Sequence, residues 1–358
     1  MNHIDVAEIK TQYGYYENYW IIDGVALPNL LDLKSKDIDD DFVQSDIKSF
    51  LGLCPAWNLD LEWRGDVRFV WKLIEMDYVP LPLLLCPDDR DFTCIVIVAE
   101  VEKTEDFVYW NRIGYVLRDN ENYYEEKRSG ILAIEKYSDD DWEKYGDNIA
   151  LESVDSEEWS EWVSKHWDEE MYRRRMNYTL PYYQKEENIK WFAQTDWVFE
   201  RYEYERMVDK FKTMQSKKYL DHLKETTSEK IDIHKCANIL SDTLPNGEKV
   251  LENHIKDFGE ILLHVLASEL ITEPLIVLLK YNDKNAEVIE LYCKMIEFMW
   301  VHGDDPVVNV VDVTILERLS DEQERWKRFG TYLTNDFKQY INNDVLTNNF
   351  MMGGVNRL

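Results

Sequence analysis

The residues with the clearest capacity for chemistry are three carboxylates on one turn. Pro87-Asp88-Asp89-Arg90-Asp91 stands between the apolar run Leu83–Cys86 and the β-branched run Thr93–Val101. Asp88, Asp89 and Asp91 offer oxygens to a Ca²⁺ or Mg²⁺ ion, or an acid and a base to a hydrolytic reaction. The competing reading is an acidic turn that keeps a hydrophobic hairpin soluble, with Arg90 partly neutralising it. A hard cation takes about 6–8 oxygens, and no further ligands are identifiable, so the plain turn is favoured. Asp39-Asp40-Asp41 and Asp139-Asp140-Asp141 read as solvated loop charges. Arg173-Arg174-Arg175 is the one basic cluster. In acidic surroundings it suits pairing with nearby acids better than contact with nucleic acid.

Other catalytic signatures are missing from the sequence. It contains no Gly-rich phosphate loop, Rossmann fingerprint, His-Glu-x-x-His, Cys-x-x-Cys or Gly-x-Ser-x-Gly elbow. The seven histidines are scattered, and His254 and His264 are ten apart, which does not make a close pair on one helical face. The five cysteines (Cys54, Cys86, Cys94, Cys236, Cys293) are odd in number and dispersed, as in a reduced cytoplasmic protein. Cys86 and Cys94 fall on facing strands where a bridge is conceivable, but buried thiols are the favoured reading. No cofactor and no metal is expected.

The elements that position the acidic turn are strands. Leu83–Cys86 and Thr93–Val101 form a hairpin, and Ile95, Val96, Ile97 and Val98 are apolar on both faces, as an interior strand requires. Phe107–Val116 adds a third strand, making a meander at the centre of a sheet. Trp20–Leu27 reads as a strand, a tight Asp23-Gly24 turn and a second short strand. Val67, Val70, Trp71 and Ile74 have helical spacing. Leu59–Trp63 alternates like a strand, and Gly130–Tyr137 resembles another. A helix is expected from Ser156 onward, with Trp159 and Trp162 on one face.

Charge separates the chain into two parts. Residues 1–200 hold 44 acidic and 21 basic residues, a balance of −23; residues 201–358 hold 27 and 20, a balance of −7. Eleven of the 13 tryptophans are in the first part. An acidic, aromatic domain over 1–200 and an all-helical domain over 201–358 are therefore expected. The fold class is α+β, with an N-terminal mixed or antiparallel sheet domain and a C-terminal all-α array. In the second part a long charged helix over 200–224 is followed by an amphipathic helix over 248–270, striped by Leu251, Ile255, Phe258 and Leu262. Thr272 caps a helix with Pro274 in its first turn, and Asn285 caps the next, which Gly303 closes. Asp304-Asp305-Pro306 opens a helix through Leu319, and Thr334 caps the last.

A surface this acidic repels nucleic acid and anionic membranes and attracts basic partners. No apolar run approaches the ~20 residues that span a bilayer, and no secretory signal is visible at the N-terminus, so a cytoplasmic location is expected. Exposed tryptophans among acids suit a protein interface, where aromatic anchors supply contact area and acids steer the encounter.

Three stretches carry a resemblance: Trp20–Leu27, Leu85–Val101 and Val108–Gly114. With Phe258–Leu266 and Val307–Leu319 they make the chain resemble bacterial immunity-like proteins of polymorphic and contact-dependent toxin systems. The resemblance implies a non-catalytic protein that binds a toxin and occludes its active site. It carries over no active-site residue. The expected partner is a basic toxin domain, and the contact residues are expected to be Asp88, Asp89, Asp91, Trp159 and Trp162. Two other classes stay open: a metal-dependent hydrolase using the Asp88–Asp91 turn, and a scaffold whose helical half binds a partner.

Overall fold

A computed structural model of the protein describes residues 1–35, 50–117, 167–280, 285–348 and 355–358. The chain divides into two compact units, Met1–Phe211 and Lys212–Leu358. The first is built on antiparallel sheets and the second on helices, so the protein is α+β. Among the described residues no helix is long and apolar enough to cross a membrane.

In the first unit, β1 (Ile4–Lys10), β2 (Tyr16–Ile22) and β3 (Val25–Ala26) form a three-stranded sheet. The β2–β3 turn is the expected tight one: Asp23 (φ 49°) and Gly24 (φ 83°) are both left-handed, and Ile22 pairs with Val25. Two left-handed residues in a two-residue loop match the right-handed twist of the flanking strands. α1 (Leu27–Ser35) follows directly.

A five-stranded sheet runs β4 (Cys54–Pro55), β5 (Tyr78–Leu85), β6 (Val96–Lys103), β7 (Phe107–Val116), β8 (Ile189–Glu200) in spatial order. The expected meander is its centre, and Val96–Ala99 of β6 are buried. β5 begins five residues before the expected Leu83. Pro80 and Pro82 lie beyond the two residues that β4 pairs, Leu84 and Leu85, so their missing N–H groups break no ladder there. β8 was not foreseen. Its polar Lys190, Gln194 and Asp196 obscure the alternation of buried Ile189, Ala193 and Trp197. Leu59–Trp63 is turn rather than strand. It feeds α2 (Arg64–Glu75), which buries Phe69, Val70, Leu73 and Ile74. α3 (167–183) contains a π-helical turn at Arg175–Thr179. The core of this unit is aromatic: Trp20, Trp57 and Trp110 are fully buried, and Trp20 meets Trp57 edge-on at 4.8 Å. Gly130–Tyr137, Trp159 and Trp162 lie outside the described residues.

α4 (Arg201–Thr226) carries the chain from the first unit into the second. There α5 (Ile233–Thr243), α6 (Gly247–Phe258), α7 (263–280), α8 (Ala286–His302), α9 (305–320), α10 (Gln323–Thr331) and α11 (335–348) enclose one apolar core. The helix expected over 248–270 is two helices. Gly259 (φ 74°) ends α6 in the left-handed region, its N–H donating to the Ile255 carbonyl. α6 buries Leu251, as expected, but with His254 as its buried companion, while Ile255 and Phe258 are exposed. Thr272 is no cap: it sits inside α7, in a π-helical turn over Ser268–Thr272, its hydroxyl near the Ala267 carbonyl. The widened turn lets the helix run on through Pro274, which has no N–H to donate. Asp304 caps α9, accepting from Val307 N at 3.1 Å, and Thr334 caps α11, accepting from Phe337 N.

Candidate functional site

The acidic turn is the tip of the β5–β6 hairpin, and its charges do not point one way. Arg90 (φ 49°) turns inward. Its guanidinium pairs with Asp60 and lies 3.5 Å from Glu17, whose side chain is fully buried and also accepts from Asn58. Arg90 therefore does not neutralise its own turn, as had been expected, because two acids distant in sequence claim it. Asp91 is spent locally: its Oδ1 accepts from Thr93 N at 2.9 Å and Thr93 Oγ1 at 2.7 Å. Asp88 and Asp89 are exposed, and among the described residues no ion pair engages either. The three carboxylates do not converge on one point. Asp89 instead groups with two thiols: a carboxylate oxygen and the Sγ atoms of Cys86 and Cys94 all lie within 4.8 Å of one another. Burial, with hydrogen bonds to Cys86 and Asp89, pushes the Cys94 thiol up to about 11.

Beside the tip lies a cleft of about 480 Å³. It is lined by the hairpin (Asp91–Cys94 and Val96), by Val116 and Leu117 where β7 ends, and by Trp63 and α3. Its walls are aromatic. Trp63 meets Trp167 edge-on at 5.7 Å, and Tyr178 stacks with Tyr182 at 6.0 Å. The Tyr182 hydroxyl donates to the Leu117 carbonyl at 2.9 Å, tying α3 to the end of β7.

Next to the cleft, α2 and α3 approach each other closely. A Cβ on Gly65 would sit 2.2 Å from the Asp168 carbonyl oxygen, so only glycine fits there. Asp168 Oδ1 in turn accepts from Arg64 N at 3.1 Å at the start of α2. The expected pairing of the arginine cluster with neighbouring acids is seen. Arg174 donates to Glu170 at 2.9 Å, and Arg175 to Asp66 at 2.7 Å. The second pair is almost wholly buried, with side-chain exposures of 3% and 0%. Burial pushes the Asp66 carboxyl up, and the Arg175 guanidinium works against that rise. Glu170 is likewise raised by burial and opposed by Arg174. Arg174 and Arg175 also lie over the rings of Trp167 and Phe92.

Of the expected contact residues, the structure puts Asp88 and Asp89 on the exposed tip and Asp91 in a turn-forming role on the cleft's rim. Trp159 and Trp162 lie outside the described residues. Trp63, Trp167, Tyr178 and Tyr182 were not foreseen as a group, since they come from two segments about a hundred positions apart. Their one signal was the concentration of aromatic residues among acids.

A domain of unknown function (DUF7674) matches residues 236–347, which lie within the helical unit. No curated protein and no solved structure matches the chain.

Proposed function

We propose that this is a non-catalytic binding protein whose sheet unit receives a basic protein partner at the β5–β6 tip and the aromatic cleft beside it. The observation that carries this reading is the withdrawal of Arg90 into the unit. With its cation spent on Asp60 and Glu17, the tip offers Asp88 and Asp89 uncompensated, next to tryptophan and tyrosine rings. Exposed acids speed the encounter with a cationic surface, and aromatic anchors hold it once water is expelled. The other acids about the cleft already have work: Asp66 holds Arg175, Glu170 holds Arg174, Asp168 caps α2, and Asp91 shapes its own turn. Among the described residues, these four acids are thus held in ion pairs and hydrogen bonds. A net charge of −30 disfavours nucleic acid and anionic membranes.

The finer form of the proposal is an immunity protein that acts in the cytoplasm and occludes the active site of a basic toxin domain. It rests on the resemblance of the hairpin segment and on the acidity of the first unit. The test is co-expression with the toxin domain encoded in the same locus. Protection of the host is expected, together with a stable complex in size-exclusion chromatography. Asp88→Lys is expected to weaken that complex without lowering the melting temperature. A toxin that kills equally well in the presence of the protein would end the immunity reading.

A further inference from the structure

The thiols of Cys86 and Cys94, which group with Asp89, have no part in the binding reading. We propose that these three residues form a site for a thiophilic divalent cation, Zn²⁺ in chemical class, that clamps the β5–β6 tip. Their ligand atoms already lie within 4.8 Å of one another. In a tetrahedral zinc site with Zn–S near 2.3 Å, neighbouring ligands are about 3.8 Å apart, so only small side-chain movements separate this arrangement from coordination.

The backbone is prepared for that geometry. Cys86 N donates to the Ile95 carbonyl at 3.1 Å and closes the hairpin beneath the thiols. Arg90 N donates to the Cys86 carbonyl at 3.0 Å, folding Pro87–Arg90 back so that Asp89 faces both sulfurs. Arg90 is anchored from behind by Asp60 and Glu17, and Asp91 pins Thr93 just before Cys94. Ordering entropy that a flexible loop would lose on binding a metal is thus already spent in the folded chain. Cys86 is only 8% exposed, while Asp89 is open to solvent, which provides a route of entry.

Donor type selects the ion. Two thiolates and one carboxylate suit zinc and its soft neighbours, and they disfavour Ca²⁺ and Mg²⁺, which require oxygen. The carboxylates of the turn do not form a hard-cation site by themselves; the two thiols add the soft donors that a zinc site uses. On binding, each thiol gives up a proton to solvent, and water fills the fourth position. The two thiolates and Asp89 more than cancel the charge of the ion. Such an ion is a weak Lewis acid, suited to a structural clamp, and the tip keeps its net negative charge.

Co²⁺ titration of the reduced, metal-free full-length protein tests this directly. Tetrahedral thiolate-bound Co²⁺ absorbs in the near-ultraviolet through charge transfer and in the visible through d–d transitions. The other three cysteines, Cys54, Cys236 and Cys293, are at most 2% exposed and belong to no metal-ligand cluster among the described residues. The signal is therefore expected to saturate at one ion per chain, to vanish on Zn²⁺ addition, and to be lost in Cys94→Ser. Asp89→Asn is expected to weaken Co²⁺ binding by roughly tenfold or more, as loss of supporting groups does at other metal sites. Cys94 and Asp89 are not buried, so both variants should fold, which circular dichroism checks. Absence of the thiolate bands at saturating Co²⁺, or their persistence in Cys94→Ser, overturns the proposal.

Discussion

The Asp66–Arg175 pair gives the sharpest energetic prediction. Asp66→Ala would remove the carboxylate that pairs with an almost fully buried guanidinium, which also lies 3.4 Å from Thr179 Oγ1 and over the Phe92 ring. Arginine cannot shed its proton to escape this. Breaking a buried pair by removing one partner costs about 3–5 kcal/mol. Asp66 also sits in the first turn of α2, where a carboxylate's interaction with the helix dipole is worth about 0.3–1 kcal/mol. That smaller effect cannot account for the predicted loss. Arg175→Met is the informative counterpart. The carboxyl it strands can take up a proton, so this variant should cost less than Asp66→Ala, and its cost should grow as pH rises. The double variant Asp66→Leu/Arg175→Met should lie close to the wild type or above it, because replacing a buried ion pair with apolar groups is commonly neutral or stabilising. Urea unfolding followed by tryptophan fluorescence reports on the first unit, since eleven of the 13 tryptophans lie in residues 1–200. A loss below about 1 kcal/mol for Asp66→Ala, where surface pairs fall, would refute the burial argument.

Three further outcomes follow from particular residues. Gly65→Ala should destabilise the first unit by about 1–3 kcal/mol, because the new methyl meets the Asp168 backbone oxygen at 2.2 Å; a neutral result in the same urea assay would contradict the close α2–α3 approach. Gly259→Ala meets no atom within 4 Å, so it should pay only for left-handed backbone, about 1–2 kcal/mol, in the helical unit. The hydrogen bonds from Arg112 to Glu100, at 2.8 and 2.9 Å, hold that carboxyl below its ordinary value of 4.5. A lowered folded pKa makes a contribution that is whole above the ordinary value and is lost as pH falls through the folded one. The melting temperature should therefore drop with acid below about pH 4.5, and Arg112→Met should flatten that part of the profile; an unchanged slope would remove Glu100 from the acid response.

What could be read from the sequence was what neighbours in the chain decide. The Asp23-Gly24 turn, the central hairpins and the Asp304 and Thr334 caps depend on residues a few positions apart, and the structure has them as expected. β8 escaped because one of its faces is polar. The break at Gly259 escaped because the apolar spacing of Leu251, Ile255, Phe258 and Leu262 runs across it without interruption. The site was legible only in part. Asp88 and Asp89 are exposed on the tip, as a contact role requires. The fate of Arg90 depended on Glu17 and Asp60, 73 and 30 positions away, and local pattern does not encode such pairings. The cleft walls join Trp63 to helical residues about a hundred positions later, which is again a tertiary fact.

The binding account is tested most directly by the rate at which the protein associates with the basic toxin domain proposed as its partner, measured by stopped flow across ionic strength. Steering by the exposed acids predicts an association rate that falls steeply as salt shortens the Debye length from about 30 Å at 0.01 M to about 8 Å at 0.15 M. Asp88→Lys should lower the low-salt rate while leaving the high-salt rate nearly unchanged. An association rate indifferent to both salt and this substitution would contradict the claim that the uncompensated tip of the β5–β6 hairpin meets a cationic partner.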